Sequence, residues 1–448
     1  MNYNFSVGQS FVFLISFAEL CLTGHLFGRD TWSSANSPPG RDTFSLNQII
    51  AAVLANNPAI QAARAKWTAA RERVPQAAAW DDPKLTGGTI FARFVSIPAN
   101  SFTDQTMSVE QMIPVSGKNR SKERIATAEA LVALEEARRH SLDIIAKAKS
   151  GYYLLKNLNA LLDLNKADEA SLVQSADATR ARFEAGKQGQ ASVLLTETER
   201  QKVVEARRDL EQQLSDAQSN LNVLMNRDPF SPIHIAPDDG MESLPAPAEK
   251  LRELILTNRP EVREAQARLT AANAKLELAK REWIPDPTVS LEAERYNGGS
   301  QTVSQVGGGV SISLPWFNGR KYRAEEAEAR SEAFAAQSEL TNAQTQASGL
   351  LRNQLEKIEA LHHHIELYRG NLLPAARQTV ASYLADYQAD KADLQTLLSS
   401  QRNLFELETM YARDTAEFDT ALVELDALVG LEQRPSATGK HHQEQQTK

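Results

Sequence analysis

Hydrophobic positions follow two different rhythms along this chain, and the switches between them mark its elements. From Ser45 to Ala79 the pattern is helical, with Ser45 as an N-cap and Gln48 three residues later as its capping-box partner. Pro58 and Pro75 are expected to bend or break that helix. Residues 84–113 then lose helix formers and gain Gly, Thr, Ser and Phe. They divide into candidate strands at 84–95 and 103–113, joined by a loop at Ile97-Pro98-Ala99-Asn100-Ser101. After Gly117 a helical pattern runs to about Glu184. At 1.5 Å per residue such a helix is on the order of 100 Å long.

The same order returns in the second half. Apolar and polar residues alternate in Val289-Ser290-Leu291-Glu292-Ala293-Glu294 and again in Val310-Ser311-Ile312-Ser313-Leu314. Period two with one apolar face predicts strands that are wet on one side. A second long helix is expected from Lys321 to about Gln388, with Pro374 as its one breaker. The return helix carries Leu397, Leu404, Tyr411, Phe418 and Leu425 at seven-residue steps. Leu407, Ala421 and Leu428 form a companion seam, with polar Asp414 between. Val203, Leu210, Leu214, Ala217, Leu221 and Leu224 alternate mostly by three and four in the first half. Such repeats pack helices as knobs into holes.

These parallels are a duplication. Asn57-Pro58 answers Arg259-Pro260 at an offset of 260 − 58 = 202, and Gly117 answers Gly319 at 319 − 117 = 202. Trp80 and Asp82-Pro83 answer Trp283 and Asp286-Pro287, and Phe183-Glu184-Ala185-Gly186-Lys187 answers Tyr387-Gln388-Ala389-Asp390-Lys391. A near-constant offset over several landmarks predicts two copies of one unit: helix, strand pair, very long helix, tight turn, helix. The chain accordingly divides into a leader at 1–35, a first repeat at 36–226, a Pro- and Asp-rich connector at 227–248, a second repeat at 249–431 and a polar, disordered tail at 432–448.

Composition narrows the class. Aromatics are only 6%, which favours long helices over a thick globular core. A net charge of −8 without a basic, aromatic-studded patch argues against nucleic acid as a partner. Cys21 is the single cysteine, so no intrachain disulfide can form. It follows the apolar run Phe11 to Ala18, too short to span a membrane but long enough for a signal-peptide core, with Ser33-Ser34-Ala35 as a cleavage site. Residues 1–10 lack the usual basic start. Lipid attachment at Cys21 is the alternative, poorly served by Leu20 and Glu19 before it. Beyond the leader, no 18-residue apolar span exists for a membrane helix.

Four amphipathic strands cannot close a barrel, and an open sheet edge cannot sit in lipid. If the strands meet a bilayer, copies must pool them: two chains give eight strands and three give twelve. The competing expectation is a pair of small soluble hairpins on a helical stalk, that is, a coiled-coil tether of the envelope with no pore. No constellation supports an enzyme, a cofactor or a metal site. His362-His363-His364 point about 100° apart on a helix and cannot chelate one ion from one face. Gly307-Gly308-Gly309 lies inside a strand pattern, where it serves close packing or a bend rather than phosphate binding.

The duplicated layout resembles the TolC-like outer-membrane efflux family over roughly residues 45–431. Asn57-Pro58 and Arg259-Pro260 open the copies. The strands end in Pro-x-x-Gly-Lys/Arg turns, Pro114 to Lys118 and, one residue longer, Pro315 to Arg320. The Phe183-x-x-Gly186 and Tyr387-x-x-Asp390 turns are each followed by Val193-Leu194 or Leu397-Leu398. The resemblance implies a mainly α fold with a small β part. Duplicated long-helix hairpins would form an α-barrel, and four strands per chain would join a shared transmembrane β-barrel. It implies a homotrimer in outer-membrane lipid with a periplasmic tunnel, docked to a periplasmic adaptor and an inner-membrane transporter, conducting passively. By motif matching, the adaptor-facing tip comprises Phe183, Gly186, Lys187, Tyr387, Asp390 and Lys391. Asp390 departs from the family's usual Gly. The positions matching the family's acidic entrance ring are neutral Thr396 and Ser399. Asp390 and Asp393 could supply that charge instead, or could simply cap the return helix. Ser290, Glu292 and Glu294 would line the barrel lumen, with Val289, Leu291 and Ala293 outside. Gln111-Met112-Ile113-Pro114 with Gly117-Lys118 is similar to the family's heavy-metal branch, while drug or organic-solvent export stays open.

Overall fold

A computed structural model describes residues 43–90, 104–236, 246–297 and 301–431. The expected leader, the 97–101 loop, part of the connector and the tail lie outside these residues. The first half runs β1 (Thr43–Phe44), α1 (Leu46–Asn56), α2 (Pro58–Ala78), β2 (Lys84–Ile90), β3 (Asp104–Met112), α3 (Lys118–Glu184) and α4 (Gln190–Leu224). After β4 (His234–Ile235) come α5 (Ala248–Asn258), α6 (Pro260–Arg281), β5 (Pro287–Asn297), β6 (Thr302–Ile312), α7 (Gly319–Leu367), α8 (Leu373–Gln388) and α9 (Leu394–Val429). The architecture is mainly α with a four-stranded antiparallel sheet. Each half contributes a helix pair, a strand pair and a long helical hairpin.

Prolines depart from the expectations in instructive ways. The predicted 45–79 helix is two helices, because Pro58 occupies the first turn of α2, where a missing N–H costs nothing. Asn57 makes the break a joint: its side chain accepts from the amides of Ala59 and Ile60 and donates to the carbonyl of Leu224. The Ser45–Gln48 capping box forms as expected. Pro75 sits inside α2 without ending it. Pro374 does not break the second long helix either. The chain takes one π-helical turn at Tyr368–Leu372 and continues as α8, so the register shift absorbs the missing donor. The strands of the second half are longer than the alternation alone suggested, and the two-residue parallel pair β1–β4 was not anticipated. Two residues carry too little pattern to signal a strand.

The core divides along the duplication. In the first half Ile49, Ile60, Tyr152, Leu155, Leu221 and Met225 pack between α1, α2, α3 and α4. In the second, Ile255, Val262, Leu351, Ile358, Leu422 and Leu425 pack between α5, α6, α7 and α9. Each such aliphatic side chain contributes roughly 1.5–3 kcal/mol when fully buried. The predicted heptad seam of α9 faces inward: Leu397, Phe418, Ala421 and Leu425 are buried, while Leu404 and Tyr411 are half-buried. Helix α3 joins the halves through α6 and α9. A charged network of Glu135 and Glu264 with Arg138, Arg263 and Arg268 bridges α3 and α6, and Lys149 meets Asp426 of α9 at 3.9 Å.

Gly430 ends α9 in the left-handed region at φ 80°, with its carbonyl accepting from Arg138. A Cβ there would lie 2.7 Å from the carbonyl oxygen of Asn258, so only glycine lets the end of α9 close on the end of α5. Gly430→Ala is therefore expected to destabilise the fold by more than the roughly 1–2 kcal/mol that the left-handed backbone alone costs. A thermal melt of the purified protein checks this, and an unchanged midpoint would contradict the close approach.

Candidate functional site

Three local structures carry the functional geometry: the sheet, the junction beneath it, and the turns at the far end of the long helices. In the sheet the strand order is β2-β3-β5-β6. Leu85 lies opposite Val109, Val109 opposite Leu291, and Leu291 opposite Gly308, so these side chains share one face. Met107, Val289, Ala293, Val306, Val310 and Ile312 fall on that face by register. They stand bare in the single chain, with Leu291 62% and Val306 80% exposed. Ser290, Glu292 and Glu294 occupy the opposite face with Thr86, Ser108 and Gln305, and Gln305 donates to Glu294 at 2.8 Å. The apolar band from Pro287 to Ala293 is about 20 Å long at 3.3 Å per residue. Of Gly307-Gly308-Gly309 within β6, only Gly309 is closely packed: a Cβ there would lie 2.9 Å from Ser290 Oγ, whereas one on Gly307 would meet nothing within 4 Å.

Below the sheet, β3 leads into α3 through Ser116-Gly117, and this junction grips the second half. Asp286 accepts from the Ser116 amide at 2.8 Å and its hydroxyl at 2.7 Å. Lys118 meets Glu282 at 3.2 Å and Asp286 at 3.6 Å, and Arg281 donates to the Ser116 carbonyl. Gly117 has φ 73°, and a Cβ there would strike Arg281. Both partners lie in motifs visible in the sequence, Pro-x-x-Gly-Lys and Asp-Pro, but nothing in their spacing reveals that they meet.

The helix turns repeat one design. Gly186 (φ 71°) and Asp390 (φ 63°) hold equivalent left-handed positions. The Lys187 amide donates to the Arg182 carbonyl, and the Lys391 amide to Asp386, each at 2.8 Å. Asp tolerates this geometry, so the turn survives the departure from glycine. Phe183 is 44% exposed, and the Lys187 and Lys391 side chains also face outward. Tyr387 corrects its expected role as a surface contact. It is fully buried: its hydroxyl lies 3.0 Å from Thr179 Oγ1, its carbonyl accepts from Arg182 at 2.6 Å, and the guanidinium sits 4.3 Å from the ring centroid. Arg182 and Lys187 also pair with Asp390, both at 2.5 Å. The two turns are thus bound to each other within one chain. Asp390 is engaged by two cations, and Asp393 caps α9 by accepting from the Thr396 amide at 2.7 Å. Thr396 is half-buried and Ser399 exposed on α9. Sequence reasoning missed Arg182 and Thr179, whose only signal was their place one and two turns before Gly186.

Among the described residues no group of three His, Cys, Asp or Glu could hold a metal ion, and no helix is long and apolar enough to cross a membrane. His362 packs on Phe418, and His364 lies 3.4 Å from Asp414. The family model described as outer membrane efflux protein matches residues 49–227 and 251–431. The chain belongs to the outer membrane efflux protein family. It is the outer-membrane exit duct of a tripartite efflux system, and its relatives are channel proteins. It is 26% identical over 376 residues to the cobalt-zinc-cadmium resistance protein CzcC of Cupriavidus metallidurans, covering 79% of this chain and 86% of that one. Pyoverdine export outer membrane protein OpmQ of Pseudomonas aeruginosa is 29% identical over 237 residues, 50% of this chain and 46% of the relative. Among solved structures, VceC of Vibrio cholerae superposes with a TM-score of 0.71 at 18% identity, covering 86% of this chain and 96% of that one. CusC superposes with a TM-score of 0.71 at 15% identity, covering 89% and 96%.

The turns of this efflux protein have a defined pH response. The hydrogen bond from Lys187, aided by the charge of Arg182, lowers the Asp390 carboxyl below the usual range. A depressed acid gives its contact above the ordinary carboxylate pKa and loses it only as pH falls through the lowered value. Spin labels at Gln190 and Gln395 should therefore report an unchanged separation from pH 7 down past about 4, where free Asp titrates. Asp390→Asn should broaden that separation already at pH 7. An unaltered distribution in the variant would mean that the ion pairs do not hold the turns together.

Proposed function

We propose that three copies of this chain form one channel, with twelve strands closed as a barrel in the outer membrane and twelve helical strands of coiled coil forming a tunnel through the periplasm. The observation that carries this reading is the four-stranded sheet with one apolar face, one polar face and two unpaired edges. Such a sheet is stable in lipid only when closed. Two copies would give eight strands, a barrel whose interior is filled by its own side chains, whereas twelve leave room for a water-filled lumen. Ser290, Glu292 and Glu294 then line that lumen, and the apolar face meets lipid. Helix α3 alone, at 67 residues, gives the tunnel a length on the order of 100 Å.

The helix turns form the periplasmic end. Phe183, Gly186, Lys187 and Lys391 face the adaptor protein there, and the adaptor couples the duct to an inner-membrane pump that supplies the energy. Tyr387 and Asp390 act from behind that surface, holding the first hairpin to the second so that the entrance stays narrow until the adaptor binds. The cargo is divalent metal cations. Support comes from the match to CzcC, which spans 86% of that protein, while the matches to toluene, solvent and pyoverdine exporters cover between 45% and 65% of theirs. Export of organic molecules is the second reading, favoured by those same partial matches.

Deleting the gene should sensitise the host to cobalt, zinc or cadmium and leave toluene tolerance unchanged; the reverse pattern would favour organic cargo. The purified protein should give discrete conductance steps in a planar bilayer. In intact cells, Glu292→Cys should react with a water-soluble thiol reagent and Leu291→Cys should not. A soluble, non-conducting protein would return the chain to the tether alternative.

A further inference from the structure

The duplication makes the seam between copies calculable from the seam within one chain. The first half meets the second along β3–β5, with Gln105 opposite Arg295 and Met112 opposite Thr288. In a closed ring of alternating halves, the second half must meet the next copy's first half along β6–β2. Asp82 matches Asp286 at an offset of 204, which carries Leu85 onto Val289. Their partners Val109 and Val310 then match at an offset of 201. Applying both offsets to the β3–β5 pairs sets Ser311 opposite Thr86 of the next copy and Ile312 opposite its Leu85. Ile312 and Leu85 both lie on the apolar face, as a one-residue slip would forbid.

The junction beneath the sheet transforms in the same way. Within the chain, Ser116 and Lys118 grip Asp286. Through the turn that is one residue longer in the second half, Gly117 matches Gly319, so Asn318 and Arg320 stand where Ser116 and Lys118 stood. The residue matching Asp286 is Asp82. All three are exposed in the single chain, and among the described residues neither Arg320 nor Asp82 has an ion-pair or side-chain hydrogen-bond partner. A cation at one edge and an anion at the other, each left over from a contact that its counterpart makes, are complementary. The aromatic neighbours Phe317 and Trp80 are 79% and 60% exposed, and closure gives both a surface to cover.

We infer that Asn318 and Arg320 of one copy clasp Asp82 of the next, beneath a β6–β2 seam in which Ser311 faces Thr86. The clasp rests on the proposed multi-chain barrel but goes beyond it, because it specifies the register and the ion pair that lock each seam. Guanidinium on carboxylate is a stronger, bidentate version of the lysine contact used inside the chain. The halves that meet at the inter-copy seam belong to different chains, whereas those at the internal seam are covalently joined.

The test uses the full chain in outer membranes, with Cys21→Ser removing the native thiol. Thr86→Cys with Ser311→Cys should yield oxidant-dependent dimers and trimers on denaturing gels, and Thr86→Cys with Gln305→Cys should not. Asp82→Arg and Arg320→Asp should each lower the temperature at which the oligomer dissociates, and the double swap should restore it. An intact oligomer that fails to link at 86–311, or a double swap that restores nothing, overturns the clasp while leaving the multi-chain duct standing. A wild-type protein that remains a single chain overturns both.

Discussion

Every feature of this protein answers to one constraint: a backbone amide or carbonyl cannot be left unpaired in hydrocarbon. Strands β2 and β6 each offer one such unsatisfied row, and the described chain has nothing to cover either. The sheet's apolar face adds a second demand, since side chains such as Leu291 and Val306 are bare in isolation. A structure with these two properties is a fragment of a larger closed object. The lipid that punishes the open edge also rewards the apolar face.

The helical half solves a different problem, which is to hold long helices in register without a thick core. Small residues do much of this. Ala126, Ala128 and Ala137 of α3 and Ala265, Ala267, Ala271 and Ala274 of α6 are buried, which lets neighbouring backbones approach closely. Polar joints then set the axial position, where smooth alanine seams would slide. Asn57 spans from the start of α2 to the end of α4, Gly430 closes α9 on α5, and the Ser116–Asp286 grip aligns the strands with the helices below. Each joint lies at an element end, where orphan backbone groups are available for side chains to satisfy.

Much of this was legible in the sequence because duplication doubles every signal. The switch from period two to period 3.6, the capping box at Ser45, and the left-handed turns at Gly186 and Asp390 all follow from local chemistry. What stayed hidden was non-local. Nothing in the spacing says that Arg182 reaches across to Tyr387, or that Lys118 points at Asp286, 168 positions away by subtraction. Tyr387 shows how such ignorance misleads: motif matching assigns it to the adaptor-facing tip, yet here it is the buried partner of Thr179 and Arg182. Pro374 misled in the opposite direction, because a helix can shift register around a proline and π-turns have no clear sequence signature.

The two turns also show where duplication has been allowed to lapse. Gly186 and Asp390 adopt the same backbone, but a Cβ on Gly186 would meet nothing within 4 Å, whereas Asp390 holds Arg182 and Lys187. Accepting a modest left-handed penalty gains two charge-assisted contacts that a second glycine could not make. Gly186 itself offers no side chain, and Asp390 of the second turn holds Arg182 and Lys187 of the first. One duplicated turn has thereby become an unequal pair.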